Sequence, residues 1–313
     1  VQLCGVPLPN PLVLASGILG TEAELLARVA RAGAGAVTAK SCSLEPRAGH
    51  PNPTVLAWEH GLINAVGLAN PGVEVEVQEL ARTRALLKPL AAAPGPGPGL
   101  IASAFADSVE SFARVARRLL QACPDLLEVN ISCPNVHDEF GTPFSADPIA
   151  AAEVTAAVKE AVVAAGAATP VLVKLSPNVS DISVIARAVE AAGADGISAI
   201  NTLTGMVIDV KARRPILANR SGGLSGPAIR PLAVRSVYEI YRAVDLPIVG
   251  MGGVGSGHDA LEMIMAGASA VGVGSAVYNE GPEVFGRIRD ELVALMAELG
   301  YESMEEIRGA AHR

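Results

Sequence analysis

The chain predicts an α/β fold, a (β/α)8 TIM barrel with long loops after strands 2, 4 and 6 at the active-site end. Three observations carry that expectation. Eight short apolar runs rich in Val, Ile and Ala each precede a helical stretch. Runs apolar on both faces mark a parallel sheet covered by helices. Eight such units in 313 residues suit this barrel. The rival, a doubly wound open sheet, would carry a G-x-G-x-x-G turn after an early strand, and none follows the first one here.

The elements follow in order. Residues 11–15 (PLVLA) form strand one, ending in Ser16-Gly17. Residues 22–32 form a helix with Leu25, Leu26 and Val29 on one face, stopped by Gly33 and Gly35. Strand two is 36–39, with Lys40 at its C-terminal end. A Pro-, Gly-, Asn- and His-rich excursion over 41–70 leads to a helix over 72–90. The run 91–99 (AAAPGPGPG) excludes helix and sheet interior. It reads as a connector at the barrel end opposite the chemistry. Strand three is 100–105, and its helix over 108–122 has Asp107 or Ser108 as candidate caps. Strand four, 126–129, ends on Asn130-Ile131-Ser132-Cys133-Pro134-Asn135. Asp147-Pro148 opens the fourth helix, with Pro in the first turn. Strand five is 171–175 (VLVKL), with a helix over 181–192. Strand six is 196–200, ending on Asn201-Thr202, and a second excursion reaches Gly226 before a helix over 231–243. Strand seven, 247–250, meets Gly252-Gly253 and a helix over 258–266. Strand eight, 270–273, meets Gly274-Ser275 and a last helix over 282–299.

Half of the residues are hydrophobic and aromatics are scarce, so Ala, Val, Leu and Gly pack the core. The net charge is −8 and no Lys/Arg stripe exists, which argues against nucleic acid. No apolar run reaches the ~18 residues of a membrane span. The first residues, Val1-Gln2-Leu3-Cys4, do not read as a secretory signal, so a cytoplasmic protein is expected. The four cysteines form no C-x-x-C pair, so no metal site is expected in this chain. Cys4 and Cys123 read as free thiols, Cys42 is undecided, and Cys133 stands among polar partners.

In such a barrel the chemistry sits at the C-terminal strand ends. Those ends carry Ser16, Lys40, Asn130, Cys133, Lys174, Asn201 and Thr202, and the first excursion adds Asn64 to Leu68. Gly252-Gly253 and Gly274-Ser275 sit on the adjacent strands seven and eight, ahead of helices. Bare N–H groups there suit a phosphate, whereas a single glycine pair would only make a tight turn. Lys174 lies in an otherwise apolar run and needs a partner or a function. It could form a Schiff base or face negative charge on a flavin, while Lys40 could equally snorkel. Asn64, Asn130, Asn135 and Asn201 offer donors and acceptors to one planar ligand. Any one of them alone would read as an ordinary loop residue. Cys133 could be a nucleophile, a base or an inert thiol. His137 is four residues on, and the long loop 134–146 reads as a lid.

Together these segments resemble the dihydroorotate dehydrogenases. The resemblance rests on NPLVLASG (10–17), AKSCSLEPR (39–47), GLINAVGLANPG (61–72), EVNISCPN (128–135), VLVKLSPN (171–178), the long stretch 199–231, VGMGGV (249–254) and VGVGS (271–275). It covers nearly the whole chain and implies one flavin-binding TIM-barrel domain over 1–313. It also implies FMN-dependent oxidation of dihydroorotate to orotate in de novo pyrimidine (UMP) biosynthesis, with Cys133 as the base. Substrate contacts carry over to Lys40, Asn64, Val66, Gly67, Leu68, Asn130, Asn135, Asn201 and Thr202. Flavin contacts carry over to Ser16, Lys40, Ser41, Ser103, Asn130, Lys174, Ile200, Gly226, Gly252, Gly253, Gly274 and Ser275. Ser103 is a departure, because the family often has Asn there.

Cys133 and the short N-terminal lead point to class 1 of the family. The membrane-bound class has Ser at the loop position and an N-terminal extension. The text after Asn135, VHDEFGTPFSADP, is closer to the NAD-linked form than to the fumarate-linked one. That form implies a homodimer within a heterotetramer, with FAD and a [2Fe-2S] cluster carried only by a partner subunit. Three rivals remain at this stage. They are a dihydrouracil- or dihydrothymine-acting flavoenzyme, a Schiff-base aldolase using Lys174, and a non-catalytic scaffold.

Overall fold

The computed structural model describes residues 1–91, 95–132 and 144–313. Eight parallel strands close into a barrel: β1 (Leu12–Leu14), β2 (Ala36–Thr38), β3 (Gly99–Ala104), β4 (Leu126–Asn130), β5 (Val171–Leu175), β6 (Gly196–Ala199), β7 (Ile248–Met251) and β8 (Ala270–Val273). Neighbours in sequence are neighbours in space, and β8 pairs with β1 to complete the ring. The surrounding helices are α1 (Ala23–Arg31), α2 (Val73–Leu87), α3 (Val109–Leu119), α4 (Pro148–Ala164), α5 (Ile182–Ala191), α6 (Arg230–Ala243), α7 (Gly257–Met265) and α8 (Val284–Glu298). Four of them start on a side-chain cap that accepts a backbone N–H: Ser108, Asp147, Asp181 and Ser256. The predicted (β/α)8 TIM barrel is the fold observed.

Alternation along each strand sorts the core into two regions. Leu12 and Leu14, Leu127 and Val129, and Val171, Val173 and Leu175 belong to the large cluster shared with the helices. Val13, Ile101, Leu126, Leu172, Val249 and Ala270 belong to a smaller cluster that fills the barrel itself. Leu3 and Leu8 join this inner cluster from the N-terminal hairpin, Gln2–Leu3 with Val6–Pro7. Two residues further along the strands the inner face turns polar. Ser103 follows Ile101, Glu128 follows Leu126 and Lys174 follows Leu172, all buried. The floor of the barrel mouth is therefore a polar layer resting on an apolar one.

The structure departs from the sequence reading in three places. The excursions after β2 and β6 are not irregular throughout. Val55–Trp58, Gly61–Asn64, Gly222–Ser225 and Leu203–Gly205 pair as a four-stranded antiparallel sheet. Each strand has only three or four residues, and the central pairing joins segments about 160 residues apart, so no local alternation announces it. The second helix ends at Leu87 and tightens to a 3-10 turn over Lys88–Leu90, where Pro89 lacks the N–H to extend the ladder. A separate five-residue helix, Ala276–Glu280, intervenes between β8 and α8. No helix among the described residues is long and apolar enough to cross a membrane.

Candidate active site

The C-terminal ends of the strands open on a cavity of about 730 Å³, within the range of small-molecule sites. Its wall includes Ser16, Lys40, Ser41, Asn64, Val66, Gly67, Leu68, Asn130, Lys174, Ile200, Asn201, Thr202, Gly226, Gly252, Gly253, Gly274 and Ser275. The residues singled out in the sequence thus meet in one place, apart from four. Cys133 and Asn135 lie outside the described residues, as do His137 and most of the 134–146 loop. Ser103 is fully buried behind Ser41 and does not reach the wall.

A chain of short hydrogen bonds ties the strand ends together. The Ser16 hydroxyl donates to the Ala39 carbonyl at 3.1 Å and lies 3.1 Å from Ser41 Oγ. Ser41 Oγ is 2.8 Å from Ser103 Oγ, and Ser103 donates to Glu128 Oε1 at 3.1 Å. Asn130 Nδ2 donates to Ser41 Oγ at 3.0 Å, while its Oδ1 accepts from the Ser132 hydroxyl at 2.9 Å and the Ser132 N–H at 3.3 Å. Asn201 Nδ2 donates to Ser132 Oγ at 2.8 Å and to the Ser132 carbonyl at 3.2 Å, and its Oδ1 accepts the Thr202 N–H. Asn64 Nδ2 donates to the Gly223 carbonyl at 3.2 Å, so the overlying sheet fixes this amide. Each amide is oriented before any ligand arrives, which spares the ordering cost on binding.

Under this layer Lys174 Nζ stands 3.7 Å from Glu128 Oε1, both side chains about 95% or more buried. Lys174 lines the cavity and Glu128 does not. The sequence reading set Lys174 apart but passed over Glu128. The signal was present, since a carboxylate in an apolar strand needs a cation. Ser132 was passed over too, although it joins Asn130 to Asn201. Asn178 is a further support. Its side chain donates to Ser176 Oγ and the Thr202 carbonyl and accepts the Thr204 N–H, so it braces the end of β6 from β5.

Turns after β6, β7 and β8 converge on one corner. A Cβ on Gly226 would come 2.7 Å from Gly61 Cα and 3.6 Å from Ser275 Oγ. One on Gly253 (φ +74°) would come 2.7 Å from the Gly226 carbonyl oxygen. Only bare backbone fits, as a cradle of N–H groups for a phosphate requires. The sequence reading assigned a phosphate to bare N–H groups ahead of helices. The start of α7 is closed by its own side chains, because Ser256 caps Asp259 N–H and Asp259 accepts Gly255 N–H at 3.0 Å. Gly252 and Gly253, upstream of α7, line the cavity. A planar ring over the polar floor with a phosphate in this corner suits the residues present, so the site fits a flavin mononucleotide.

The other thiols lie apart from this chemistry. Cys42 is fully buried in the helix-facing core, and burial pushes its thiol well up, with Glu76 adding to the shift. Cys4 is pushed up to about 12, by burial first and by Asp195 next, with Lys159 opposing. Burial of this kind disfavours the thiolate form. The undecided Cys42 is therefore a core thiol.

A family model described as dihydroorotate dehydrogenase matches residues 1–296. The chain belongs to the dihydroorotate dehydrogenase family. It is 44% identical over 311 residues to a protein of Methanocaldococcus jannaschii named dihydroorotate dehydrogenase B (NAD(+)), catalytic subunit, covering 99% of this chain and 97% of that one. Proteins of the same name from Methanosarcina mazei and Desulforudis audaxviator are 46% and 45% identical, covering 94% and 97% of their lengths and 99% and 100% of this one. All three relatives carry the B-type name, and the chain groups with that type. The text after Asn135 had pointed the same way.

Proposed function

We propose that this chain is an oxidoreductase that oxidises (S)-dihydroorotate to orotate in de novo pyrimidine biosynthesis, using FMN in a single barrel domain. The observation that carries the reading is the convergence of Lys40, Asn64, Asn130 and Asn201 on one cavity that also holds the glycine corner of β7 and β8. FMN supplies a hydride acceptor when bound. Backbone of Gly226, Gly252, Gly253, Gly274 and Ser275 would hold its phosphate, and Ser16, Ser41, Asn130, Lys174 and Ile200 would line its ring, all of them residues of the cavity wall.

The residues of the chain do the rest. The amides orient the pyrimidine through their paired donors and acceptors. Lys40, with the Val66-Gly67-Leu68 segment, receives the orotate carboxylate. Cys133 takes a proton from one ring carbon while the neighbouring carbon gives up hydride. A thiolate base of this kind needs water excluded and correct aim. Asn135 and Thr202 complete the pyrimidine shell.

Electrons leave through a partner subunit carrying FAD and a [2Fe-2S] cluster, with NAD+ as final acceptor. Two of the catalytic chains pair as a homodimer within that cytoplasmic heterotetramer. The names of the relatives, catalytic subunits of an NAD-linked enzyme, support this reading over the fumarate-linked one. Purified protein is expected to be yellow, with one FMN per chain released on denaturation. Colourless protein that takes up no FMN on reconstitution contradicts the proposal.

A further inference from the structure

We infer that Glu128 is a positioning residue that sets the charge beneath the flavin through its pairing with Lys174, an inference that rests on the proposed FMN site. Glu128 lies on β4, one residue pair below Asn130, and its in-register neighbours are Ser103 on β3 and Leu172 on β5. Lys174 is two residues further along β5, directly paired with Asn130. The carboxylate therefore sits one layer down, held by the Ser103 hydroxyl at 3.1 Å and reaching up to Lys174 Nζ at 3.7 Å. Lys174 lines the cavity while Glu128 does not, so the counter-charge lies behind the wall.

Two buried unit charges this close act nearly as a neutral pair on a ligand above them. Removing the lower one leaves a bare cation facing the ring. In a site shielded from water that change is felt strongly. A flavin that gains an electron pair becomes more negative, so an unopposed Lys174 makes the ring a better acceptor. Glu128 holds that effect down and also keeps the Lys174 stem in one place. A simpler alternative is that Glu128 only satisfies a buried lysine so that the barrel folds. The two roles rank substitutions in opposite order. Glu128→Gln keeps the shape and removes the charge, whereas Glu128→Asp keeps the charge and shortens the arm.

Sulfite is a suitable probe, because it needs neither substrate nor turnover. Its sulfur lone pair forms a bond to flavin N5, and the ring takes the pair as added negative charge. The visible spectrum bleaches in proportion to adduct, which gives a dissociation constant. In FMN-loaded protein, E128Q is expected to bind sulfite about tenfold or more tightly than the wild type. E128D is expected to show a smaller change in the same direction, about threefold, because its charge is retained but set back. Equal affinities for wild type and E128Q overturn the role, and so does a larger change in E128D than in E128Q. If E128Q does not fold, E128D decides alone, and an unchanged sulfite affinity overturns the role. A wild-type protein that takes up no FMN defeats the proposed function itself. FMN-loaded proteins with indistinguishable sulfite affinities defeat only the role of Glu128.

Discussion

Asn201 Nδ2 donates to Ser132 Oγ at 2.8 Å, tying the end of β6 to the residue just before Cys133. The same hydroxyl donates to Asn130 Oδ1 at 2.9 Å, so Ser132 is the knot between two cavity-lining amides. The backbone from which Cys133 departs is thereby fixed from both sides. Ser132→Ala leaves Asn130 and Asn201 each short of a partner. It is expected to cost about 1–3 kcal/mol in stability and to weaken orotate binding by about tenfold, with FMN retained. Orotate titration monitored through the flavin spectrum measures the second effect, and unchanged affinity would remove Ser132 from the account.

Lys174 and Glu128 make a second test. Truncating one partner of a buried ion pair leaves the other charge uncompensated. Lys174→Met is expected to cost about 3–5 kcal/mol and to lower FMN affinity. Urea unfolding of the apoprotein and fluorescence titration with FMN read the two effects separately. A variant as stable as the wild type would mean that the pair is not formed in solution.

The glycine corner is tested by Gly253→Ala. A methyl there meets the Gly226 carbonyl oxygen at 2.7 Å and forces a side chain into positive φ. The expected cost is about 1–3 kcal/mol of backbone strain. FMN affinity is expected to fall about tenfold or more, while riboflavin, which lacks the phosphate, loses little. Equal losses for both ligands would place the phosphate elsewhere.

Glu76 carries a pH dependence outside the site. It lies on α2, is 1% exposed, and has one carboxylate oxygen without a hydrogen-bond partner. Burial first and Glu79 next push its carboxyl from 4.5 to about 8, with Lys40 opposing. Between those values the folded chain holds a proton that the unfolded chain has released, so this group's stabilising contribution declines as pH rises across that window. Glu76→Gln is expected to raise the melting temperature at pH 8 and leave it nearly unchanged at pH 5. A difference that is the same at both pH values would show that Glu76 titrates normally.

Much of this was legible in the sequence because each barrel strand is short, apolar and followed by a helix with its own stop. The alternation of Leu126, Glu128 and Asn130 with Leu127 and Val129 even encodes which side chains point into the barrel. Strand-end residues such as Lys40, Asn130 and Asn201 could be collected from position alone. What stayed hidden depends on contacts between distant segments. Gly223 pairs with Asn64 across 159 residues, and neither segment has a periodicity long enough to signal a strand. Glu128 was visible as a charge in an apolar run. Its partner two residues along the next strand follows only from the barrel register. The glycine corner was visible as glycine pairs, but Ser256 and Asp259 closing the start of α7 required side-chain geometry.

The most direct test of the central claim is anaerobic titration of the FMN-loaded protein with dihydroorotate, followed by flavin absorbance, alongside Cys133→Ala. The wild type is expected to bleach fully with dihydroorotate and not with dihydrouracil. Cys133→Ala is expected to keep its flavin and bleach about 10²–10⁴-fold more slowly. A flavin that stays oxidised in dihydroorotate, or a Cys133→Ala variant that bleaches at the wild-type rate, would contradict the account.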